Sequence, residues 1–191
     1  MARVQISKMT TWSSVCSYVI RQLRIRGVEF VRSGEDRSKI SRDYDSLSQE
    51  KMAKELGITK AAYSKIENAD VVINVFHISR ISSEFGISTV EFMQLVENKI
   101  EALRAEGIEV KSEKIPFRLD NIRWLEKLKE KATAKYNTII RDLKKNKSFS
   151  TYTDEQLIEL KNECKQLAYN ELEEKFSLEN ALKEYHDSQS S

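Results

Sequence analysis

The chain has 191 residues, of which 40% are hydrophobic and 32% are charged, and it contains a single proline. This length suits one or two small domains, and the composition is typical of a helical cytosolic protein. No apolar run approaches the roughly 18 residues that a membrane span requires. The first residues, MARVQISKMTTW, lack the apolar core of a secretion signal. We therefore expect a cytoplasmic protein with no membrane segment.

The net charge of +2 is small for a protein that binds nucleic acid, but the charge is unevenly distributed. Residues 111–147 contain 12 Lys or Arg and 5 Asp or Glu, whereas residues 148–191 contain 4 and 10. This asymmetry favours two C-terminal helices that pair with each other, within a chain or between chains. Two separate solvated faces explain the same pattern equally well.

The residues that commonly perform chemistry form no recognisable constellation. Cys16 and Cys164 lie far apart and in no metal-binding spacing, which predicts buried free thiols. His77 and His186 have no neighbouring serine, cysteine or acid pattern typical of a catalytic triad, and no glycine-rich phosphate loop is present. We expect no enzyme activity, no metal and no cofactor.

Helical patterns follow one another along the first half of the chain. Apolar residues recur at helical spacing over 13–26. Four later helix starts each have a polar cap between apolar residues, at Ser48, Thr59, Asn74 and Ser88. Glu91 would complete a capping box with Ser88. These starts predict an all-α domain.

The segment 47–68, LSQEKMAKELGITKAAYSKIEN, is the most informative part of the sequence. It reads as two short amphipathic helices, because Gly57 suits the end of the first and Thr59 caps the second. The motif resembles the lambda-repressor-like (Cro/XRE) helix-turn-helix family. The resemblance extends through residues 73–95, INVFHISRISSEFGISTVEFMQL, and covers about residues 11–95. The C-terminal half matches no family that we recognise. It implies a five-helix DNA-binding domain.

The resemblance also implies which residues contact DNA. It places base contacts at Lys60, Ala61 and Lys65, and these residue types suit guanine acceptors and the thymine methyl group. It further places a phosphate contact at Asn68. Ser64 could do likewise, or could only face solvent. Helix N-termini suit phosphates at Gln49 and Thr59. Tyr63 is expected in the core with its hydroxyl at the rim, and Glu67 is expected to pair with a basic residue.

Residues 28–46 depart from the family, in which the link after the first helix is short. Residues 28–31, VEFV, alternate like a strand, and SGED at 33–36 resembles a turn. Either a small hairpin or a disordered loop fits this insertion. Its basic residues could reach phosphates, although its five acidic residues argue against a dedicated DNA-binding arm.

The remaining chain divides into a linker at 108–118 and a helical region at 119–191. The fifth helix is expected to end near Glu106, before Gly107. A long helix over 119–145 has an apolar stripe, and Thr153 with Gln156 forms a capping box at the start of the next helix. Ser177 would cap a last short helix.

These features predict a DNA-binding transcriptional regulator, most simply a repressor that acts as a homodimer on a palindromic operator. The C-terminal helices would hold the dimer, because we expect little spare apolar surface on the packed domain at 1–107. They could also bind an effector or a protein partner. An antitoxin-like interaction protein, whose C-terminal helices bind a partner, is the alternative. A scaffold that has lost DNA binding is a third.

Overall fold

The structure is a computed structural model in which residues 7–33, 47–145 and 152–189 are described. Their elements, in chain order, are β1 (Met9–Thr11), α1 (Trp12–Arg26), α2 (Val28–Ser33), α3 (Gln49–Leu56), α4 (Lys60–Glu67), α5 (Val75–Glu84), α6 (Thr89–Ala105), β2 (Glu109–Lys111), α7 (Asn121–Lys145), α8 (Asp154–Lys175) and α9 (Leu178–Gln189). The all-α prediction is therefore confirmed, with the addition of two three-residue strands. Within the described ranges, no helix is long and apolar enough to cross a membrane.

The chain forms two compact units. The N-terminal unit contains residues 9–114, and the C-terminal unit contains residues 115–191 together with residues 1–8. The segment 108–118, which the sequence predicts to be a linker, contains β2 and the buried side chains of Ile115 and Arg118.

Helices α3, α4, α5 and α6 begin where the sequence predicts. The side chains of Ser48, Thr59, Asn74 and Ser88 each accept a hydrogen bond from a backbone N–H in the first turn of the following helix. The predicted capping box at Ser88 is half formed, because the carboxylate of Glu91 accepts instead from Arg32 of α2. The core beneath these helices contains, among others, Val15, Ile20, Leu23, Met52, Ile81 and Phe92.

The two ends of the N-terminal unit are joined by its strands. β1 pairs with β2 in parallel, with Met9 opposite Glu109 and Thr11 opposite Lys111. Gly107, at φ 75°, separates α6 from β2, as the sequence predicts for a helix stop. The pairing of strands so short and so far apart in sequence gave no local signal.

The predicted strand at 28–31 is wrong, because residues Val28–Ser33 form α2. Gly27 ends α1 at φ 84°, and the chain then turns at once into another helix that packs on α1. A short apolar run does not distinguish a strand from a helix by periodicity alone, and its packing on α1 decides the outcome here. The predicted turn at 33–36 and the rest of the insertion to residue 46 fall almost wholly outside the described residues.

The C-terminal unit is built on α7 and α8, which pack side by side. Lys131 and Lys135 of α7 both contact Glu171 of α8, so the basic helix and the acidic helix pair within one chain. A cluster of buried side chains lies between them: Trp124, Leu128, Ala168, Tyr169 and Leu172. Two residues of the predicted apolar stripe of α7, Leu128 and Ala132, pack in or against this cluster, whereas Leu125 of the same stripe is 37% exposed. The Thr153–Gln156 capping box is confirmed.

Candidate nucleic-acid interface

The turn between α3 and α4 holds the two helices in a fixed relation. Gly57 adopts the left-handed conformation at φ 67° and ends α3, and the N–H of Ile58 donates to the carbonyl of Ala53 at 2.9 Å. The hydroxyl of Thr59 then accepts from the N–H of Ala62 at 3.1 Å. Tyr63 and Ile66 anchor α4 in the core. The opposite face of α4 is thereby turned outward on a rigid support.

The outward face of α4 carries all three predicted base-contacting residues. Lys60, Ala61 and Lys65 are exposed, and we call them the recognition face. The Lys60 ammonium lies 3.7 Å from the carboxylate of Glu50, but these side chains are 60% and 76% exposed. An ion pair this exposed contributes under about 1 kcal/mol, so Lys60 can readily exchange this partner for another.

A network of charged and polar side chains contacts the buried side of α4 and fixes its position. Arg24 of α1 donates through Nη2 to Glu67 at 3.0 Å, and Gln49 Nε2 donates to the same carboxylate at 2.7 Å. Arg24 also donates to the carbonyl of Leu47 at 2.8 Å. The predicted basic partner of Glu67 is thus Arg24. Because the two residues are 43 positions apart, no local sequence pattern could have identified the pair.

The predicted phosphate-contacting residues lie at the ends of α3 and α4. Gln49 is the first residue of α3, and Thr59 caps α4. Ser64 and Asn68 lie toward the other end of α4, where Asn68 Nδ2 is 3.4 Å from the Ser64 hydroxyl. The side chain of Gln49 donates to Glu67, and the hydroxyl of Thr59 accepts from the N–H of Ala62. The groups that suit a phosphate at these two positions are therefore the backbone N–H groups of the first helical turns.

The position of Tyr63 differs from the prediction in one respect. The whole side chain is buried, with 0% of its surface exposed, so its hydroxyl does not lie at the rim. Tyr63 is therefore a core residue and is no candidate for DNA contact.

An exposed apolar surface follows α4 and was missed by the sequence analysis. Val72, Val75 and Phe76 are 86%, 73% and 65% exposed, and we call them the apolar patch. The expectation of little spare apolar surface on this unit is therefore wrong. The run VVINVF at 71–76 is the signal that could have revealed it, since only Ile73 of that run is buried.

Both cysteine thiols are buried, as predicted. Burial raises the pKa of the Cys16 thiol to about 12, and burial is also the main cause that raises the pKa of Cys164. A thiol that stays protonated at neutral pH is a poor nucleophile. Neither cysteine is therefore a candidate for covalent chemistry.

Comparison with known proteins agrees with this geometry. A helix-turn-helix family model matches residues 46–92, which include α3, α4, α5 and the start of α6. No curated protein and no solved structure matches the chain. The matched residues contain the whole recognition face and its supporting turn, so residues 46–92 form a helix-turn-helix segment similar to that of the lambda-repressor-like (Cro/XRE) family.

Proposed function

We propose that this protein is a sequence-specific repressor that binds a palindromic operator as a homodimer. The family match supports a DNA-binding regulator of the Cro/XRE kind. The observation that carries the finer proposal is the recognition face, which is exposed, cationic and rigidly backed. Lysine can donate to O6 and N7 of guanine, and the alanine methyl group can pack against the methyl group of thymine.

The apolar patch supports a dimer contact in the N-terminal unit. Val72 lies four residues beyond Asn68, the C-cap of α4, and four residues span at most about 14 Å. The centre of the eight-residue helix α4 is about 6 Å from its end. Packed backbones lie about 10 Å apart, so two copies that meet at this patch would place their α4 centres at most about 50 Å apart. Half-sites one DNA turn apart require about 34–36 Å, which this limit allows.

The C-terminal helices are a weaker candidate for the same contact. Part of the α7 stripe that the sequence offers for dimerisation, Leu128 with Ala132, packs against α8 of the same chain. Contiguous exposed apolar side chains on a monomer often mark an interaction surface, and the apolar patch is such a group.

The base contacts can be tested by selecting bound sites from random DNA and then measuring the affinity of variants. Lys65→Ala should cost about 1–3 kcal/mol on the selected site and relax the preference at one base pair. Asn68→Ala removes an exposed predicted phosphate contact and should weaken binding to all sequences similarly. Lys183→Ala removes an exposed lysine of α9 and should change neither property. If Lys65→Ala loses the same affinity for the selected site as for random DNA, the proposed base contact of Lys65 is wrong.

A further inference from the structure

An open cleft of about 670 Å³ lies between α7 and α8 in the C-terminal unit. Clefts of about 300–1,000 Å³ that are mainly apolar, with a few converging polar groups, are typical of small-molecule sites. The cleft is not part of the recognition face or of the apolar patch, and neither the family match nor the DNA-binding geometry accounts for it.

The cleft has an apolar floor and polar margins. The apolar floor comes from α7 and contains Leu125, Leu128, Ala132 and Tyr136, while the other α7 residues of the cleft are polar: Glu126, Lys129, Thr133 and Asn137. The α8 wall is polar and contributes Lys161, Asn162 and Lys165. A ligand that fills this cleft must therefore have an apolar side and a polar side.

The lysines of the cleft differ from other lysines of the same helices. Lys131 and Lys135 of α7 are paired with Glu171. Lys129, Lys161 and Lys165 line the cleft, and none of the three has a carboxylate partner among the described residues. The Lys161 ammonium lies 5.3 Å from the centre of the Tyr136 ring, at the junction of the cationic wall and the apolar floor. Three ammonium groups and one acidic side chain, Glu126, give the cleft a positive balance.

We propose that this cleft binds an amphipathic anion, a small molecule with a carboxylate or phosphate group on an apolar body. The anionic group would lie against Lys161 and Lys165, and the apolar body against Leu125, Leu128 and Tyr136. A helix from another chain fits less well, because a helix–helix interface needs an apolar stripe on both sides and the α8 wall offers none. The role of this ligand as an effector rests on the proposed repressor function, whereas its binding does not.

Isothermal titration of the full chain with decanoate tests the site. Decanoate should bind once per chain, whereas decanol, decyltrimethylammonium and inorganic phosphate should each bind much more weakly or not at all. Lys161→Met combined with Lys165→Met should weaken decanoate binding about tenfold or more, since hydrogen bonds to charged groups are removed. Lys183→Met is the matched control outside the cleft and should leave the affinity unchanged.

A second variant tests the apolar side without removing charge. Thr133→Phe places a ring into the cleft from an exposed position of α7 and should abolish decanoate binding. Equal binding of decanoate and decanol, or no effect of the lysine variant, would overturn the proposal. If decanoate fails to bind and Thr133→Phe also dissociates a dimer in sedimentation, the cleft belongs to a second copy of the chain and the proposal is wrong.

The regulatory role is measured separately, by DNA binding with and without decanoate. A change in operator affinity that Lys161→Met with Lys165→Met eliminates supports an effector site. If the protein binds decanoate saturably but binds no DNA, the proposed ligand site is supported and the proposed repressor function is contradicted. The two proposals can therefore fail independently.

Discussion

At the scale of single residues, the position of α4 depends on one buried charge, the carboxylate of Glu67. Glu67 is 4% exposed and accepts hydrogen bonds from both Arg24 and Gln49. One carboxylate thus connects α1, α3 and α4 beneath the recognition face. Burying it is costly unless every partner is present, so the position of α4 is linked to residues at three points of the chain.

Removing one partner of this network should destabilise the N-terminal unit strongly. We expect Glu67→Ala to lower the free energy of unfolding by about 3–5 kcal/mol, because it removes the buried carboxylate that pairs with the largely buried guanidinium of Arg24 and with Gln49. Urea denaturation followed by circular dichroism measures this loss. Arg32→Ala breaks an ion pair whose side chains are 45% and 33% exposed, and it should cost under about 1 kcal/mol. Similar losses for the two variants would contradict the role assigned to burial.

Residue roles were predicted well where the reason for them is local. Thr59 caps α4 because its hydroxyl reaches an amide three residues away, and a sequence displays that spacing directly. The pairing of Glu67 with Arg24 and the full burial of Tyr63 depend on contacts with distant elements. The DNA contacts themselves are still predictions, since the exposed positions of Lys60 and Lys65 are consistent with base reading and also with a solvated surface.

At the scale of elements, the boundary between α3 and α4 depends on a single backbone conformation. Gly57 has φ 67°, and nothing lies within 4 Å of the position that a Cβ would occupy. The cost of a side chain there is therefore conformational rather than steric. Gly57→Ala should lower the free energy of unfolding by about 1–2 kcal/mol, which is the cost of the left-handed region for an L-residue.

The control for this prediction is Gly57→Asn, because asparagine enters the left-handed region more easily than alanine does. Thermal or urea denaturation should therefore rank the three proteins with glycine most stable and alanine least stable. Alanine and asparagine variants of equal stability would show that the conformation at residue 57 does not determine the loss.

Elements with explicit caps or long periodic patterns were predicted, whereas the shortest elements, α2, β1 and β2, were not. α6, α7 and α8 each extend over at least 17 residues, so their apolar spacing repeats several times. α2 has six residues and each strand has three. Their conformation is decided by packing or pairing with partners elsewhere, which a short sequence window does not contain.

At the scale of the whole molecule, the proposed homodimer requires a surface that remains available after each chain has folded. Val72→Asp combined with Phe76→Asp should convert the full chain to a monomer in sedimentation at micromolar concentration, because charged groups would be buried at the contact. The variant should also bind a palindromic site much more weakly than the parent protein.

Val90→Asp provides the matched control, since Val90 is 79% exposed on α6 of the same unit but outside the apolar patch. It should leave both the dimer and its affinity for DNA unchanged. A double variant that stays dimeric would place the contact elsewhere, and the C-terminal helices would then be the next surface to test.

The parallel pairing of β1 with β2 brings the two ends of the N-terminal unit close together. Neighbouring strands lie about 4.8 Å apart and rise about 3.3 Å per residue, so Met9, where the chain enters this unit, is about 8 Å from Lys111, the end of β2. Residues 9–114 could therefore be inserted as a domain into a single surface loop of another protein. The same closeness allows a short peptide to join the two ends and new termini to be opened elsewhere, so this unit is suited to grafting and to circular permutation.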